Sequence, residues 1–242
     1  MKTLLTNGCS WTWGGGFENL PDNDRLETVW PHHLMNLLEF DNNVNLSMGC
    51  GSNQRIVRTT LDWILQQDRE TLDNTTAIIQ WTEPSRYEYY SKTTEPDLSN
   101  QWDWDNSDDN WALVKAGICI YPPGSRNYHI HIEEFQDSQM RYKTYSDIEG
   151  LYSFITQFTA LANIFETYNI KYYYWNALGV PVKWFPDNLK TYASTFNWIN
   201  PDHLSWDYER IGKDDHHPNV NGHLQLAQYI FKEIQSLNNG LL

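Results

Sequence analysis

Two short polar segments, one near each end of the chain, contain the residue types that nucleophilic catalysis requires. Residues 7–12 (NGCSWT) follow a short apolar run and place Ser10 at a turn after a strand, whereas residues 214–218 (DDHHP) precede an amphipathic helix. A serine hydroxyl attacks an acyl group when an imidazole accepts its proton and a carboxylate orients that imidazole. The spacing of Asp214 and His217 allows one loop to hold both the acid and the base. The two segments therefore predict a hydrolase with Ser10, His217 and Asp214 as its catalytic residues.

Other polar residues of the second segment have competing interpretations. His216 could also be the base, but only His217 has an aspartate at the required spacing and a proline after it, so we interpret Asp215 as a simple neighbour. The same segment could bind a metal together with His223. Because the predicted fold brings no further Cys, His or Glu ligand to this loop, we expect neither a metal nor another cofactor.

Charge and hydrophobicity bear on which partners the protein can have. The formal net charge is −14, so phosphate backbones and anionic membrane surfaces would repel the protein, and we expect neither nucleic acid nor membrane as a partner. Hydrophobic residues make up 40% of the sequence and aromatic residues 15%, which is enough for a sizeable core. The apolar runs are too short to span a bilayer, and too few residues precede Cys9 for a signal peptide.

The cysteine content indicates a reducing environment. Cys9, Cys50 and Cys119 form an odd and sparse set, which is not a disulfide framework. We expect Cys9 and Cys50, which both follow predicted strands, to be buried free thiols. The expected location is the cytoplasm, or a particle such as a virion that is assembled in a cytoplasm.

Strands and helices alternate along most of the sequence. Short apolar runs near residues 3–6, 43–47, 76–81 and 171–175 predict buried strands, and amphipathic stripes between them predict helices. This alternation predicts one α/β domain over residues 1–242, a three-layer α/β/α sandwich with a mostly parallel, flavodoxin-like sheet. The rhythm breaks at about 84–150, which we interpret as an aromatic and acidic insertion after the third strand. Within it, residues 128–132 alternate like a strand, and we interpret His129 and His131 as one structural strand face.

The carboxyl ends of the first three predicted strands lie at the same edge of such a sheet. Ser10 follows the first strand, Gly51 the second and Thr82 the third. Ligand sites of open α/β sheets lie at this edge. We therefore expect the three segments to surround one site, which the loop of His217 approaches from the side.

The order of these segments resembles that of the SGNH (GDSL-type) hydrolases, a family of serine esterases and lipases. Residues 8–12 (GCSWT) resemble the block that carries the nucleophile, residues 45–53 resemble the second block, and residues 214–218 match the final Asp-x-x-His-Pro block. The resemblance implies that the backbone N–H groups of Ser10 and Gly51 form an oxyanion hole. The third block departs from the family pattern, because its oxyanion asparagine is absent and the strand ends in Gln80, Trp81 and Thr82. Removing one such donor costs about 10²–10³ in rate.

Several side chains could replace the missing asparagine or bind substrate. The Thr82 hydroxyl, the Gln80 amide and Asn53 are the candidates for the missing donor. We assign Asn53, Trp81 and Arg86 to substrate binding. Arg86 could instead form an ion pair with Glu83 or Glu88, and we favour the ion pair.

Two functions follow from these features. The first is an esterase that removes small acyl groups, acetyl above all, with acylated carbohydrate as the favoured substrate. The run at residues 101–111 could supply a sugar-stacking platform or be a solvated loop that its aromatic residues anchor. The second is a catalytically weakened binding or structural protein with the same fold, such as a glycan-binding component of a phage particle. The sequence does not indicate an oligomeric state.

Overall fold

A parallel sheet forms the centre of the molecule. The computed structural model describes residues 1–90, 111–115, 118–120, 146–202, 208–213 and 215–239. Over this part of the chain, five strands form the sheet in the order β2-β1-β3-β7-β8, with every neighbouring pair parallel. They are β1 (Thr3–Asn7), β2 (Asn42–Asn45), β3 (Thr75–Trp81), β7 (Lys171–Asn176) and β8 (Trp198–Asn200). The predicted flavodoxin-like order is confirmed.

Helices cover both faces of this sheet. They are α1 (Ser10–Trp13), α2 (Asp22–Thr28), α3 (Trp30–Leu37), α4 (Asn53–Leu65), α5 (Arg69–Asp73), α6 (Asp147–Thr167), α7 (Asp187–Ala193) and α8 (Val220–Asn239). Side chains alternate between the two faces along each strand. Leu5, Ile79 and Tyr174 pack in one core with α4 and α6, whereas Leu4 and Ile78 pack in a second core with α3 and α8. The predicted three-layer α/β/α sandwich is confirmed.

Side-chain caps fix where the helices next to the sheet edge begin. The Ser52 hydroxyl accepts a hydrogen bond from the Arg55 N–H at 3.1 Å and starts α4. Asn219 accepts from the Gly222 N–H at 2.8 Å in the first turn of α8. Such caps satisfy N–H groups that have no partner within the helix. Both helices therefore start at fixed points beside the loops that carry the candidate site residues.

The segment after β3 contains a second, antiparallel sheet. It consists of β4 (Tyr87–Tyr90), β5 (Trp111–Lys115) and β6 (Ile118–Ile120) in the order β4-β5-β6. Glu88 joins β4 to α4 through two hydrogen bonds from the Arg58 guanidinium, at 2.8 and 3.0 Å. The strand predicted at 128–132, including His129 and His131, and most of the run at 101–111 lie outside the described residues.

Of the described helices, none combines the length and the apolar composition that crossing a membrane requires.

Phe158 tests the packing of the core between the sheet and α6. Its ring is fully buried and contacts Phe154, Tyr174 and Trp198. We expect Phe158→Ala to lower the free energy of unfolding by about 3–5 kcal/mol, because it removes apolar contacts and leaves a cavity. Tyr152→Ala, an exposed position on the same helix, should change it by about 0.5 kcal/mol or less. Urea denaturation measures both, and similar losses in the two variants would contradict the described packing.

Candidate active site

Ser10 lies where the chain leaves β1, an interior strand between β2 and β3. Asn7, the last residue of β1, is buried: its Oδ1 accepts the Gly8 N–H at 2.8 Å, and its Nδ2 lies 2.9 Å and 3.0 Å from the Thr59 and Thr60 hydroxyls of α4. These bonds fix the turn that leads to Ser10, the first residue of α1. The sequence interpretation did not identify Asn7 as a positioning residue.

The His217 imidazole joins the two ends of the chain. Its Nε2 lies 2.8 Å from the Ser10 Oγ, although the two residues are 207 positions apart in the sequence. The loop that carries His217 is held by the Tyr208 hydroxyl, which donates to the His216 carbonyl at 2.9 Å, and by a bridge between Arg210 and Pro218. The structure thus brings the predicted nucleophile and base within hydrogen-bonding distance.

Gly15 is required for this contact. A Cβ at this position would lie 2.7 Å from the Cδ2 and Nε2 atoms of His217 and 3.0 Å from the Ser10 Cβ. Those distances are below normal packing distances, so only glycine lets the imidazole approach the serine. The run of three glycines at residues 14–16 was the sequence signal for this close approach.

Asp215 is the carboxylate that contacts His217. Its Oδ1 lies 2.7 Å from the His217 Nδ1 and accepts the His217 backbone N–H at 2.9 Å. The pKa of Asp215 is lowered, chiefly by the bond from the His217 backbone and also by the bond from the imidazole. With Nδ1 protonated and bound to Asp215, Nε2 is free to accept the Ser10 proton. The interpretation of Asp215 as a simple neighbour is therefore wrong, whereas Asp214, the predicted acid, lies outside the described residues.

A hydrogen bond in the turn before α4 occupies the Gly51 N–H, which was predicted to bind an oxyanion. The Gly51 N–H donates to the Met48 carbonyl at 3.0 Å, so it could serve an oxyanion only after that bond breaks. Cys50 within this turn has a φ of +62°, which is a left-handed conformation that L-residues rarely adopt. Gly51 itself lies against the first block, since a Cβ there would be 3.0 Å from the Gly8 carbonyl oxygen.

Two of the three predicted substrate-binding residues have structural roles instead. Asn53 is buried, and its amide donates to the Thr82 carbonyl at 3.0 Å and accepts the Thr82 N–H at 2.9 Å. Trp81 is 0% exposed and packs against Phe154 and Tyr174 in the core. Both side chains are buried, so these two assignments are wrong. The reason for Trp81 is the alternation along β3, which directs it to the same core as Ile79.

The remaining candidates at this edge differ in how their polar atoms are used. Gln80 is buried, with its Nε2 3.2 Å from the Cys9 Sγ and its Oε1 accepting from the Thr12 hydroxyl. The Thr82 Oγ1 is buried and has no hydrogen-bond partner among the described residues. Arg86 forms the predicted ion pair with Glu83, with Nε 3.1 Å from Oε2.

The two cysteines of this edge are free, as predicted. Cys9 is buried and Cys50 is partly exposed, so the expectation of burial holds for Cys9 alone. The metal interpretation placed His223 with the loop of His217. His223 is instead fully buried, and its Nδ1 accepts the Trp30 N–H at 3.3 Å. Over the described ranges, no group of three or more His, Cys, Asp or Glu side chains is placed to hold a metal ion.

Solved structures share this architecture. An esterase, EstA, from Pseudoalteromonas sp. matches 99% of this chain and 100% of its own with a TM-score of 0.53 at 12% identity. TesA matches 98% and 99% of the two chains with a TM-score of 0.51 at 12% identity. A G-D-S-L-family protein from Desulfitobacterium hafniense matches 96% and 99% with a TM-score of 0.50, also at 12% identity. The fold is therefore that of the SGNH (GDSL-type) hydrolases.

A family model gives the finer assignment. Residues 19–200 match a family of unknown function, DUF6071, and the chain belongs to that family. The matched range contains Gly51, Thr82 and Arg86 but neither Ser10 nor His217. No curated protein matches the chain.

Exchange of Asp215 tests its contact with the imidazole. We expect Asp215→Asn to slow the reaction of Ser10 with a fluorophosphonate at least roughly tenfold, because an amide neither orients nor stabilises the imidazolium as a carboxylate does. The loss should stay below the ~10⁴-fold typical of a buried acid, since the Asp215 side chain is 42% exposed. Asp214→Asn is the matched comparison, measured by the rate of covalent labelling. A large loss in Asp214→Asn together with a normal rate in Asp215→Asn would contradict the structural assignment.

His223 should make stability depend on pH. Burial lowers the pKa of His223 to about 3 from its ordinary 6.5, so the folded protein keeps the ring neutral where the unfolded chain protonates it. Above pH 6.5 the titration of His223 does not affect the free energy of unfolding. Below pH 6.5 the free energy of unfolding decreases by about 1.4 kcal/mol per pH unit as the pH falls towards 3.

His223→Asn should remove that pH dependence, because the Asn oxygen can still accept the Trp30 N–H but does not titrate. Urea denaturation between pH 7.5 and 4.5 measures the effect. The difference in unfolding free energy between the two proteins should shrink as the pH falls, and a constant difference would refute the prediction.

Proposed function

We propose that this protein is a serine esterase that hydrolyses small O-acyl esters, with acetylated carbohydrate as the favoured substrate. The observation that carries the proposal is the 2.8 Å contact between the His217 Nε2 and the Ser10 Oγ, with the Asp215 carboxylate at the other ring nitrogen. A nucleophile, a base and an orienting acid in this geometry are the components of acyl transfer. The likeness to the Pseudoalteromonas esterase supports the same class of reaction.

The reaction would proceed in two acyl-transfer steps. The Ser10 Oγ attacks the ester carbonyl while His217 accepts its proton, and Asp215 stabilises the imidazolium. The tetrahedral intermediate then expels the alcohol, which receives that proton from His217. In the second step His217 removes a proton from water, the resulting attack releases the acid, and Ser10 regains its proton. The Ser10 N–H, at the first turn of α1, is one donor for the oxyanion because such amides have no partner within the helix.

The choice of carbohydrate rests on the sequence of the insertion. Residues 101–111 contain three tryptophans among seven acidic or amide residues that include Asp103 and Asp105, a composition suited to stacking on sugar rings and bonding their hydroxyls. A lipase would need an apolar surface for long acyl chains, and the sequence of the insertion has no long apolar run. Acetylated glycans are therefore favoured over lipids.

Replacement of the nucleophile tests the proposed reaction. We expect p-nitrophenyl acetate hydrolysis and fluorophosphonate labelling in the native protein, and Ser10→Ala should lower kcat by roughly 10⁴–10⁶. Ser194→Ala, an exposed serine at the end of α7, is the control and should be indistinguishable from the native protein. Absence of Ser10-dependent labelling and turnover in the native protein would reject the esterase in favour of a binding protein with the same fold.

The substrate class needs a separate comparison. Acetate release from acetylated xylan and from p-nitrophenyl acetate should exceed fatty-acid release from p-nitrophenyl palmitate by at least roughly tenfold in kcat/KM, because the sequence of the insertion offers aromatic and polar residues rather than a long apolar run. A preference for palmitate would retain the serine hydrolase but reject carbohydrate as its substrate.

A further inference from the structure

Most neutral donors that could bind an oxyanion in this site are already bonded. The Gly51 N–H is bound to the Met48 carbonyl, and the Asn53 amide is bound to the backbone of Thr82. The Gln80 amide lies against the Cys9 Sγ at 3.2 Å. An ester hydrolase that lacks the usual asparagine must obtain the missing stabilisation elsewhere, either from another donor or from a positive charge.

Arg86 is a buried cation at the same edge of the sheet. It follows the turn after β3, in which its N–H donates to the Glu83 carbonyl at 3.1 Å. Its side chain is only 4% exposed, and among the described residues its Nη1 is buried without a hydrogen-bond partner. Its ion-pair partner, the Glu83 carboxylate, is 43% exposed and is therefore partly screened by water. The guanidinium charge is thus incompletely neutralised in a dry environment.

The segment that carries Arg86 lies along the first turn of α4, because the Asn53 amide bonds the Thr82 backbone and the Glu88 N–H donates to the Gln54 Oε1 at 3.0 Å. Burial by itself lowers the pKa of Arg86, but its electrostatic interactions with Cys9, Glu83 and Cys50 raise it above its ordinary value. Cys9 directly precedes Ser10, and Cys50 lies in the turn against the Gly8 carbonyl. Because α4 begins directly after that turn, Arg86 lies at the same edge of the sheet as Ser10.

We infer that the buried Arg86 guanidinium stabilises the oxyanion electrostatically and so replaces the asparagine that is absent from the third block. The inference rests on the proposed function and assigns a residue to the same site. A charge acts at a distance in a low dielectric, so Arg86 needs no direct contact with the substrate. Because the charge stabilises the transition state and not the bound substrate, replacing Arg86 should change kcat rather than KM.

Two substitutions that change the local charge in opposite directions test this role. Arg86→Gln removes the charge and should lower kcat for p-nitrophenyl acetate roughly 10–10³-fold, with KM changed less than about twofold. Glu83→Gln leaves the guanidinium less neutralised and should raise kcat or leave it unchanged. Arg86→Lys retains the charge and should keep most of the activity. Arg69→Gln, which breaks the surface ion pair with Asp73, is the matched control and should have no effect.

Phenylboronic acid provides a readout that a merely structural ion pair would not produce. It adds to the Ser10 Oγ as His217 takes the serine proton, and the adduct is a tetrahedral anion. Its Kd should rise about tenfold in Arg86→Gln and fall in Glu83→Gln, whereas loss of a structural ion pair would weaken binding in both variants. Thermal denaturation identifies a variant that fails to fold, in which case Glu83→Gln and Arg86→Lys decide the question.

The outcomes separate this inference from the proposed function. If the native protein shows neither Ser10-dependent turnover nor boronate binding, both are overturned. If the native protein is active and Arg86→Gln keeps its kcat and boronate affinity, only the role of Arg86 is overturned. A rise in KM at constant kcat would also overturn it, because Arg86 would then bind the substrate ground state.

Discussion

The hydrogen bond between the His217 Nε2 and the Ser10 Oγ is the contact on which the site depends. It joins residues 207 positions apart, so it exists only if β1 lies inside the sheet, between β2 and β3, and the loop before α8 reaches the same edge. Asn7 fixes the first of these positions through its bonds to α4. Gly15 leaves the space that the imidazole occupies. The fold and its chemistry are thus linked through a small number of close approaches, each of which tolerates few residue types.

The charged groups of the site differ in how far they are exposed to water. Asp215 and His217 are partly exposed, with 42% and 32% of their side chains accessible, so water can reach the base and solvate the imidazolium that forms. Arg86 is buried, and its field is consequently stronger and less sensitive to salt. In a protein of net charge −14, a cation retained in a dry position at the sheet edge that carries Ser10 contrasts with the overall acidity. In the proposed esterase, this charge would stabilise a negative transition state within an overall acidic protein.

The features that could be predicted from the sequence are those that short-range residue patterns determine. Ser10 and His217 were identified because their neighbours and the order of the segments are distinctive, and the sheet order followed from alternating strands and helices. Asp215 was missed because two consecutive aspartates precede the histidine, and the choice between them depends on a backbone bond two residues ahead. The roles of Gly51 and Asn53 depend on turn geometry that composition does not reveal. The three-residue strand β8 was missed because its pairing with β7, rather than its own pattern, defines it.

The most direct test of the central claim is capture of the acyl-enzyme. The protein is mixed with p-nitrophenyl acetate, quenched with acid within the first turnover and analysed by mass spectrometry after proteolysis. The proposed mechanism predicts one acetyl group on the peptide that contains Ser10, and its absence when His217 is replaced by Ala. Acetylation at lysines alone, or equal acetylation of Ser10 without His217, would contradict a nucleophile that His217 activates.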